Sequence, residues 1–256
     1  MNKTLRAAIE RHAVAVYPAE CCGLVIRGPR RREYVPCRNT AATPDDQFRI
    51  APEDYAAAED RGQVLAVVHS HPDWSSAPSE ADRACCEASG LPWYIVEVRR
   101  GDDGEVRAGE LSAIEPEGYL APLVGRPFTH GVHDCYALVR DFYAREMGIT
   151  LPDYPREDGW WNRGEDLYYR YYKEAGFYEV ATPQHGDVIV MQIRAPQANH
   201  AGVYLADGKL GSEPDHYPTP GVILHHLHGK DARRDVYGGD WALNTRLILR
   251  HKDAPA

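Results

Sequence analysis

The sequence predicts a mixed α/β protein built from two domains, an α/β domain followed by an α+β domain. The chain has 256 residues, which is more than one average domain and fewer than three. Helical and strand patterns alternate in its first half, whereas in its second half helices come first and strands follow. With 43% hydrophobic and 26% charged residues, the chain can bury a core, and wholesale disorder is excluded.

The first half begins with apolar residues at helical spacing and continues through short apolar runs that are typical of strands. Pro52 and the two acidic residues after it open a helix, and Gly90 closes another. In order, we expect a helix over 5–16, strands over 22–26 and 32–38, a helix over 52–58, a buried strand over 64–68, a helix over 79–88 and a strand over 93–98.

A change in residue pattern separates the two halves. Residues 101–110 (GDDGEVRAGE) predict a hairpin, and residues 114–126 are rich in Pro and Gly without periodicity, as is typical of a linker. We therefore assign a first domain to residues 1–115, a linker to 116–126 and a second domain to 127–256.

The second half starts with an amphipathic helix over 134–147, with Asp134 as its N-cap and Gly148 at its end. A tyrosine-rich helix is expected over 165–175. From residue 187 onward the pattern indicates strands, separated by turn dipeptides of the DG and GG types. The strands are DVIVMQI from 187, HAGVYLA from 200, VILHHL from 222 and RLILRH from 246.

The charge balance limits the possible partners. The 29 Lys and Arg residues against 38 Asp and Glu residues give a formal net charge of -9. Binding to nucleic acid or to anionic membrane surfaces depends on clustered basic residues, so we expect neither partner. No apolar stretch approaches about 18–20 residues, so we also expect no membrane span.

The six cysteines contain no CxxC motif and form no pattern typical of a secreted disulfide framework or a zinc ribbon. The N-terminal segment carries Glu10, Arg11 and His12, where a signal peptide needs an unbroken apolar run. We therefore expect a protein without a signal peptide that is made and folds in a reducing cytoplasm.

His69 and His71 suggest a metal site in the first half. They follow a predicted buried strand directly, and residues two apart on a strand share a face, so both imidazoles can reach one ion. Asp82 on the next helix is a candidate third ligand, which would leave a fourth position open as in catalytic zinc sites. Glu20 is the candidate general base, and Ser79 is the candidate donor to the developing oxyanion. Ser79 and Asp82 could instead simply form the capping box of a helix.

The string HSHP at 69–72, with S-x-x-D at 79–82 and the upstream glutamate, resembles the signature of the JAMM (MPN+, Mov34/JAB) metallopeptidases. The resemblance covers about residues 1–115. It implies a cytidine-deaminase-like α/β domain that cleaves amide or isopeptide bonds with Zn²⁺. It also implies the same roles for the five residues named above: three ligands, one base and one group that stabilises the transition state.

Cys135 suggests a nucleophile in the second half. It follows the N-cap Asp134, so its sulfur lies at a helix N-terminus, where the thiolate is favoured. A thiolate nucleophile needs an imidazole partner and a third group to orient it. His200 begins one predicted strand, and the next strand carries His225 and His226, of which alternation lets only one face the cysteine. On composition alone, Cys135 is instead a small buried residue of the helix.

The order of these features resembles an NlpC/P60 peptidase domain over residues 127–256: a cysteine at a helix start, then GDVIVM, then HAGVYL at a strand start. The resemblance implies a papain-like α+β fold with Cys135 and His200 as catalytic residues and a polar third residue on the following strand. His225 corresponds best to this third residue, and His226 is the alternative.

Two features depart from that family's pattern. The segment 210–220 (LGSEPDHYPTP) looks inserted between two strands, and Phe128 stands where the family often has a tyrosine upstream of the nucleophile. A group of aromatic residues allows two interpretations, a groove for muropeptides or ordinary packing. Its members are Trp160, Trp161, Tyr168, Tyr169, Tyr171 and Tyr172.

The two domains in this order resemble the phage lambda tail assembly protein K family, and the resemblance extends to connecting segments such as WWNRGEDLY and RDVYGGDW. It implies a phage or prophage protein associated with the tail tip that hydrolyses peptidoglycan. The implied activities are a cysteine endopeptidase on stem peptides and a zinc-dependent amide or isopeptide hydrolase. The implied partners are peptidoglycan peptides and other tail tip proteins. Two alternatives stay open: a tail tip scaffold whose sites have become structural, and an amidase or acyltransferase on the NlpC/P60 fold.

Overall fold

The computed structural model describes residues 1–157 and 159–255. The chain divides into two compact units, Met1–Leu120 and Ala121–Ala256. Each unit is built around one sheet with accompanying helices, so the predicted two-domain, mixed α/β fold is confirmed. The division falls within the segment predicted as a linker, and Leu123 from that segment is fully buried in the core of the second unit.

The N-terminal unit contains one five-stranded sheet. Its elements are α1 (Lys3–Val16), β1 (Cys22–Arg27), β2 (Arg32–Cys37), α2 (Pro52–Arg61), β3 (Gln63–Pro72), α3 (Glu80–Ser89), β4 (Trp93–Arg100) and β5 (Val106–Ile114). The strand order is β2-β1-β3-β4-β5. β3 and β4 run parallel, and the other neighbouring pairs are antiparallel.

This sheet is covered on both faces, because successive side chains of a strand point to opposite sides. On one face, Ile9 of α1 packs with Val25 of β1. On the other face, Leu24 and Ile26 of β1 pack with Ala58 of α2. Burial on both faces explains why the central strand has the continuous apolar run VLAVV in place of an alternating pattern.

The central strand β3 is longer than the sequence predicts. The prediction ends it at residue 68, whereas its parallel ladder with β4 continues to Pro72. His69 and His71 therefore belong to the strand itself. The regular pleat holds both side chains on one face of the sheet, which a loop after the strand would not do.

The C-terminal unit contains a six-stranded antiparallel sheet among its described residues. Its elements are α4 (Cys135–Glu146), a 3-10 helix (Trp160–Asn162), α5 (Leu167–Tyr171), β6 (Phe177–Glu179), β7 (Val188–Met191), β8 (His200–Leu205), β9 (Val222–His225), β10 (Arg233–Val236), α6 (Gly239–Asn244) and β11 (Thr245–His251). The strand order is β10-β9-β8-β7-β11-β6. α4 packs against β8, so the start of this helix lies over the centre of the sheet. No helix in the described parts of the chain is long and apolar enough to cross a membrane.

The tyrosine-rich helix predicted over 165–175 is wrong in its length, because α5 spans Leu167–Tyr171 alone. The helix begins at Leu167 because Asp166 has a non-helical backbone (φ -115°, ψ 74°) and caps the first turn with its side chain. After α5 the chain forms a series of hydrogen-bonded turns that ends at Gly176. The sequence analysis also missed β6, β10 and α6, which are too short to show a periodic pattern.

Candidate metal centre and candidate thiol site

The three predicted metal ligands meet in the N-terminal unit. Nε2 of His69 lies 3.1 Å from Nε2 of His71. The carboxylate of Asp82 faces both rings, with Oδ1 3.1 Å from Nε2 of His69 and Oδ2 3.3 Å from Nε2 of His71. One ligand atom from each residue lies within 4.8 Å of the others, so the three can hold one ion.

The start of α3 places Asp82 at this point. The backbone N–H of Asp82 donates to Oγ of Ser79 (3.1 Å), and both the N–H and the hydroxyl of Ser79 donate to Oδ2 of Asp82 (2.7 Å each). The capping box that the sequence offered as an alternative is therefore present. It does not compete with a ligand role, because the same carboxylate also faces the two histidines.

The two histidine rings are held in different ways. Nδ1–H of His71 donates to the carbonyl of Ser75 (2.8 Å), which leaves Nε2 as the ring atom directed at the cluster. Burial lowers the pKa of His71, but the hydrogen bonds to Asp82 and Ser75 outweigh it and raise this pKa above its usual value. His69 is buried and stacks on Phe48 with ring centroids 4.7 Å apart. Burial lowers the pKa of His69, which keeps the ring neutral.

The chemistry of this donor set fits zinc. Two imidazole nitrogens and a carboxylate oxygen, which are ligand types that zinc prefers, converge within reach of one ion. Hydrogen bonds from His69 and His71 outweigh burial and lower the pKa of Asp82, so the carboxylate is charged at neutral pH. A two-histidine, one-carboxylate set with a side open to a cleft is the arrangement of catalytic zinc sites.

Glu20 lies beside the cluster, immediately before β1. It is 8% exposed, and with His71 and Ser79 it lines a cleft of about 240 Å³. Its backbone N–H donates to Pro44 (2.6 Å), which ties it to the neighbouring loop. Burial raises the pKa of Glu20 to about 8. A pKa in this range suits a group that accepts a proton in one step and releases it in the next.

In the C-terminal unit, Cys135 is the first residue of α4, as predicted. The N-cap Asp134 accepts a hydrogen bond from the N–H of Ala137 (2.8 Å), and Nε of Arg156 donates to it (2.6 Å). Sγ of Cys135 lies 3.3 Å from Oη of Tyr168.

The environment of the thiol differs from the prediction. From the sequence, the helix N-terminus is expected to favour the thiolate. In the structure, burial raises the pKa of Cys135, and the negative charge of Asp134 adds to this effect. Within the described residues, no hydrogen bond joins Sγ to His200. In this environment the thiol is protonated, and it is hydrogen-bonded to Tyr168.

His200 and His225 are brought together across neighbouring strands. β8 and β9 pair so that Gly202 lies opposite His225, which places His200 diagonally across from it. Nε2 of His200 lies 3.0 Å from Nδ1 of His225, and Nε2 of His225 lies 3.1 Å from Oδ2 of Asp235 on β10. These three side chains form one continuous chain of hydrogen bonds.

The carboxylate at the end of this chain fixes the tautomers of both rings. Asp235 can only accept, so Nε2 of His225 donates and Nδ1 of His225 accepts. His200 then donates from Nε2, and its Nδ1 is left without a proton. Burial lowers the pKa of His200 well below its usual value, so the ring is a neutral base.

Sequence reasoning missed Asp235. It lies in the short strand β10, whose four residues show no strand pattern. The available signal was the position of this carboxylate in a segment (RDVYGGDW) that the resemblance had already marked.

The alternative third residue, His226, points elsewhere. Its ring packs edge-on against Phe128 with centroids 5.2 Å apart, and burial lowers its pKa to about 4. In the described structure no hydrogen bond joins it to His200. Alternation along β9 therefore places His225, and not its neighbour, beside His200.

A small apolar cavity of about 70 Å³ reaches Cys135. Of the predicted aromatic group, Trp160, Tyr168, Tyr171 and Tyr172 line it, together with core residues such as Val139 of α4. Trp161 and Tyr169 do not line it. The aromatic group is thus divided between lining this cavity and packing outside it.

Comparisons with known proteins agree with this two-part architecture. Residues 2–110 match the family described as prokaryotic homologs of the JAB domain, and residues 125–250 match the NlpC/P60 family. Over 249 residues the chain is 43% identical to Tail tip assembly protein K of Escherichia phage N15, which covers 96% of this chain and 93% of that protein. Over 205 residues it is 36% identical to Tail tip assembly protein K of Escherichia phage lambda, which covers 79% and 89%. A solution structure from Desulfitobacterium hafniense shares 21% identity over 44% of this chain and 88% of that one, with a TM-score of 0.34.

Proposed function

The chain belongs to the tail tip assembly protein K family, and from this premise we propose that its C-terminal domain is a cysteine endopeptidase that cleaves stem peptides of peptidoglycan. The observation that carries the proposal is the hydrogen-bonded chain His200–His225–Asp235 in an NlpC/P60 domain whose first long helix begins at Cys135. An oriented neutral imidazole and a cysteine at a helix start are the two groups that nucleophilic thiol catalysis needs.

The proposed reaction is acyl transfer to the sulfur of Cys135. His200 accepts the thiol proton at Nδ1, and the sulfur attacks the carbonyl carbon of the peptide bond. The carbon–nitrogen bond breaks, and His200 returns the proton to the leaving amine. A water molecule, deprotonated by His200, then hydrolyses the thioester and frees the thiol. His225 holds the ring of His200, and Asp235 holds the ring of His225.

For the N-terminal domain we propose a zinc-dependent hydrolase of amide or isopeptide bonds. His69, His71 and Asp82 would hold the ion through the atoms that converge in the structure. Zinc, when bound, would supply a polarised carbonyl and an acidified water. Glu20, which lines the same cleft and whose pKa is raised to about 8, would accept a proton from the attacking water and pass it to the leaving amine.

Ser79 takes a different role in this proposal from the one that the sequence predicts. Its single hydroxyl proton is donated to Asp82 in the structure, so it is not free for a developing oxyanion. We propose that Ser79 positions Asp82. Ser79 also lines the cleft, together with Glu20 and His71.

The proposed partners follow from the two relatives, which are tail tip assembly proteins, and from the NlpC/P60 domain. They are other tail tip proteins of the phage and the peptides of the cell wall. We propose that the protein is made in the host cytoplasm and associates with the tail tip, where a wall-cleaving activity would act.

A second candidate function is a tail tip scaffold in which the thiol site is silent. Burial and the charge of Asp134 raise the pKa of Cys135, and no hydrogen bond joins its sulfur to His200 among the described residues; both observations favour this candidate. The amidase or acyltransferase alternative draws its support from the apolar cavity at Cys135.

Digestion of purified cell-wall sacculi separates these functions. We expect the wild type to release muropeptides identified by mass, Cys135→Ala to release none, and Cys86→Ala, which changes a buried cysteine of the other domain, to behave as wild type. His69→Ala tests in the same assay whether the metal half contributes. Release of the same products by Cys135→Ala contradicts the peptidase proposal and leaves the scaffold.

A further inference from the structure

The thiol site contains a hydroxyl that the proposed reaction does not yet use. Oη of Tyr168 lies 3.3 Å from Sγ of Cys135. Tyr168 comes from α5, far along the chain from the thiol, and its ring packs against the C-terminal core and edge-on to Trp160. The contact is therefore held by tertiary packing on both sides.

The chemistry of the two groups decides the direction of this hydrogen bond. A phenolic O–H is a strong donor, whereas a thiol S–H is a weak one. Desolvation raises the pKa of Tyr168 well above its usual value, so the hydroxyl keeps its proton at neutral pH. Tyr168 thus donates to sulfur, and this bond becomes much stronger when the sulfur carries a negative charge.

We propose that Tyr168 is a catalytic residue of the thiol site, whose hydroxyl stabilises the thiolate of Cys135 and directs its sulfur during attack. The proposal rests on the peptidase function proposed above. It explains how a buried thiol next to a carboxylate can ionise at all. Burial and Asp134 oppose the thiolate, and the groups that favour it are Tyr168, the guanidinium of Arg156 and the backbone of Ala201.

Tyr172 provides a matched control for Tyr168. Both tyrosines line the same cavity and both pack against the same core. Among the contacts of the described residues, the hydrogen bond to Sγ of Cys135 comes from Tyr168 and not from Tyr172. Removing one hydroxyl or the other by a Phe substitution therefore changes the packing equally little but changes the thiol environment in one case alone.

The test measures the pH dependence of alkylation of Cys135 by iodoacetamide in the full chain, with the modified peptide quantified by mass spectrometry. We expect Tyr168→Phe to raise the midpoint of this profile by about one pH unit, the size of one hydrogen bond to a charged group. We expect Tyr172→Phe to leave the midpoint unchanged. On cell-wall substrate, Tyr168→Phe should lower kcat/KM by about 10- to 100-fold, mainly through kcat.

An unchanged or lowered midpoint in Tyr168→Phe overturns the proposal, and so does an equal shift in Tyr172→Phe, because that would show a general effect on packing. The ultraviolet absorbance of the thiolate gives a second measurement on the same variants, and circular dichroism confirms that they are folded. Alkylation needs no substrate. A shifted midpoint in a protein that does not cleave sacculi therefore supports the role of Tyr168 and contradicts the peptidase function alone.

Discussion

The two candidate sites of this protein are assembled in opposite ways. The metal centre uses His69 and His71 from one strand and Asp82 from the helix that follows it in sequence. The thiol site collects Cys135 from α4, Tyr168 from α5, and its histidines and carboxylate from three neighbouring strands. A site built from one local segment is visible as a motif, whereas a site built from five elements is visible only in part.

The two sites also differ in their electrostatics. At the metal centre, acidic groups accumulate, and burial raises the pKa of Glu20 to about 8. At the thiol site, the histidines are buried and neutral and the thiol keeps its proton. The first arrangement attracts a cation, and the second depends on hydrogen bonds that form as charge develops.

The largest effect that we expect is loss of zinc from the local site. Because each ligand is one of three, His71→Ala should retain less than about half an equivalent of zinc, whereas the wild type retains about one. Metal content of purified protein, measured by mass spectrometry, checks this. His12→Ala, which changes a histidine of the same unit that lies outside the cluster, should retain zinc as wild type does. Equal zinc content in the wild type, His71→Ala and His12→Ala would contradict the assignment of His71 as a metal ligand.

The next effect concerns the long-range site. Asp235→Asn replaces an obligate acceptor by a group that can donate to His225, which disturbs the tautomers of both rings. We expect kcat/KM on cell-wall substrate to fall by about 100-fold, with the fold retained. The exposed Asp231, changed to Asn, serves as the control. Full activity in Asp235→Asn would show that the chain of hydrogen bonds has no part in catalysis.

A smaller effect follows from the close approach of β8 and β9. A Cβ added at Gly202 would lie 2.9 Å from Cβ of His225 and 2.9 Å from the carbonyl of Leu224. Gly202→Ala should therefore lower the free energy of unfolding by about 1–3 kcal/mol, as overpacking typically does. Urea denaturation measures this. Gly238→Ala, where a Cβ meets open space, is the control, and equal stability of the two variants would contradict the close packing.

The smallest effect is a pH dependence of stability in the C-terminal unit. Burial lowers the pKa of His133 and of His226 to about 4, whereas an unfolded chain has histidine pKa values of about 6.5. Between these values the unfolded state binds more protons. The stability from these two residues is therefore complete above about pH 6.5 and is lost as the pH falls towards about 4.

Urea denaturation at several pH values checks this slope. The double variant His133→Gln, His226→Gln should show a shallower loss of stability in acid than the wild type. The exposed His185, changed to Gln, should leave the slope as it is. A double variant with the slope of the wild type would show that these two rings are not the source.

The predictable part of the molecule is the part that depends on neighbours in sequence. The spacing of His69 and His71 on a strand, the capping box before Asp82 and the N-cap before Cys135 are set by residues within three positions of each other, so the pattern alone shows them. The length of α5 could not be predicted, because the chain changes from helix to a series of turns after Tyr171, at a point that no residue pattern marks.

The sequence by itself determined the two domains, their families and order, and which residue types could act as ligands, base and nucleophile. The tertiary structure alone decided that His225, and not His226, lies beside His200, and that Asp235 completes the chain of hydrogen bonds. It also decided that Tyr168, and not His200, is hydrogen-bonded to the sulfur of Cys135. The physical reason is strand register and helix packing. These contacts join residues 10 to 33 positions apart, and the geometry that brings them together is fixed by the whole core of the unit and by no local pattern.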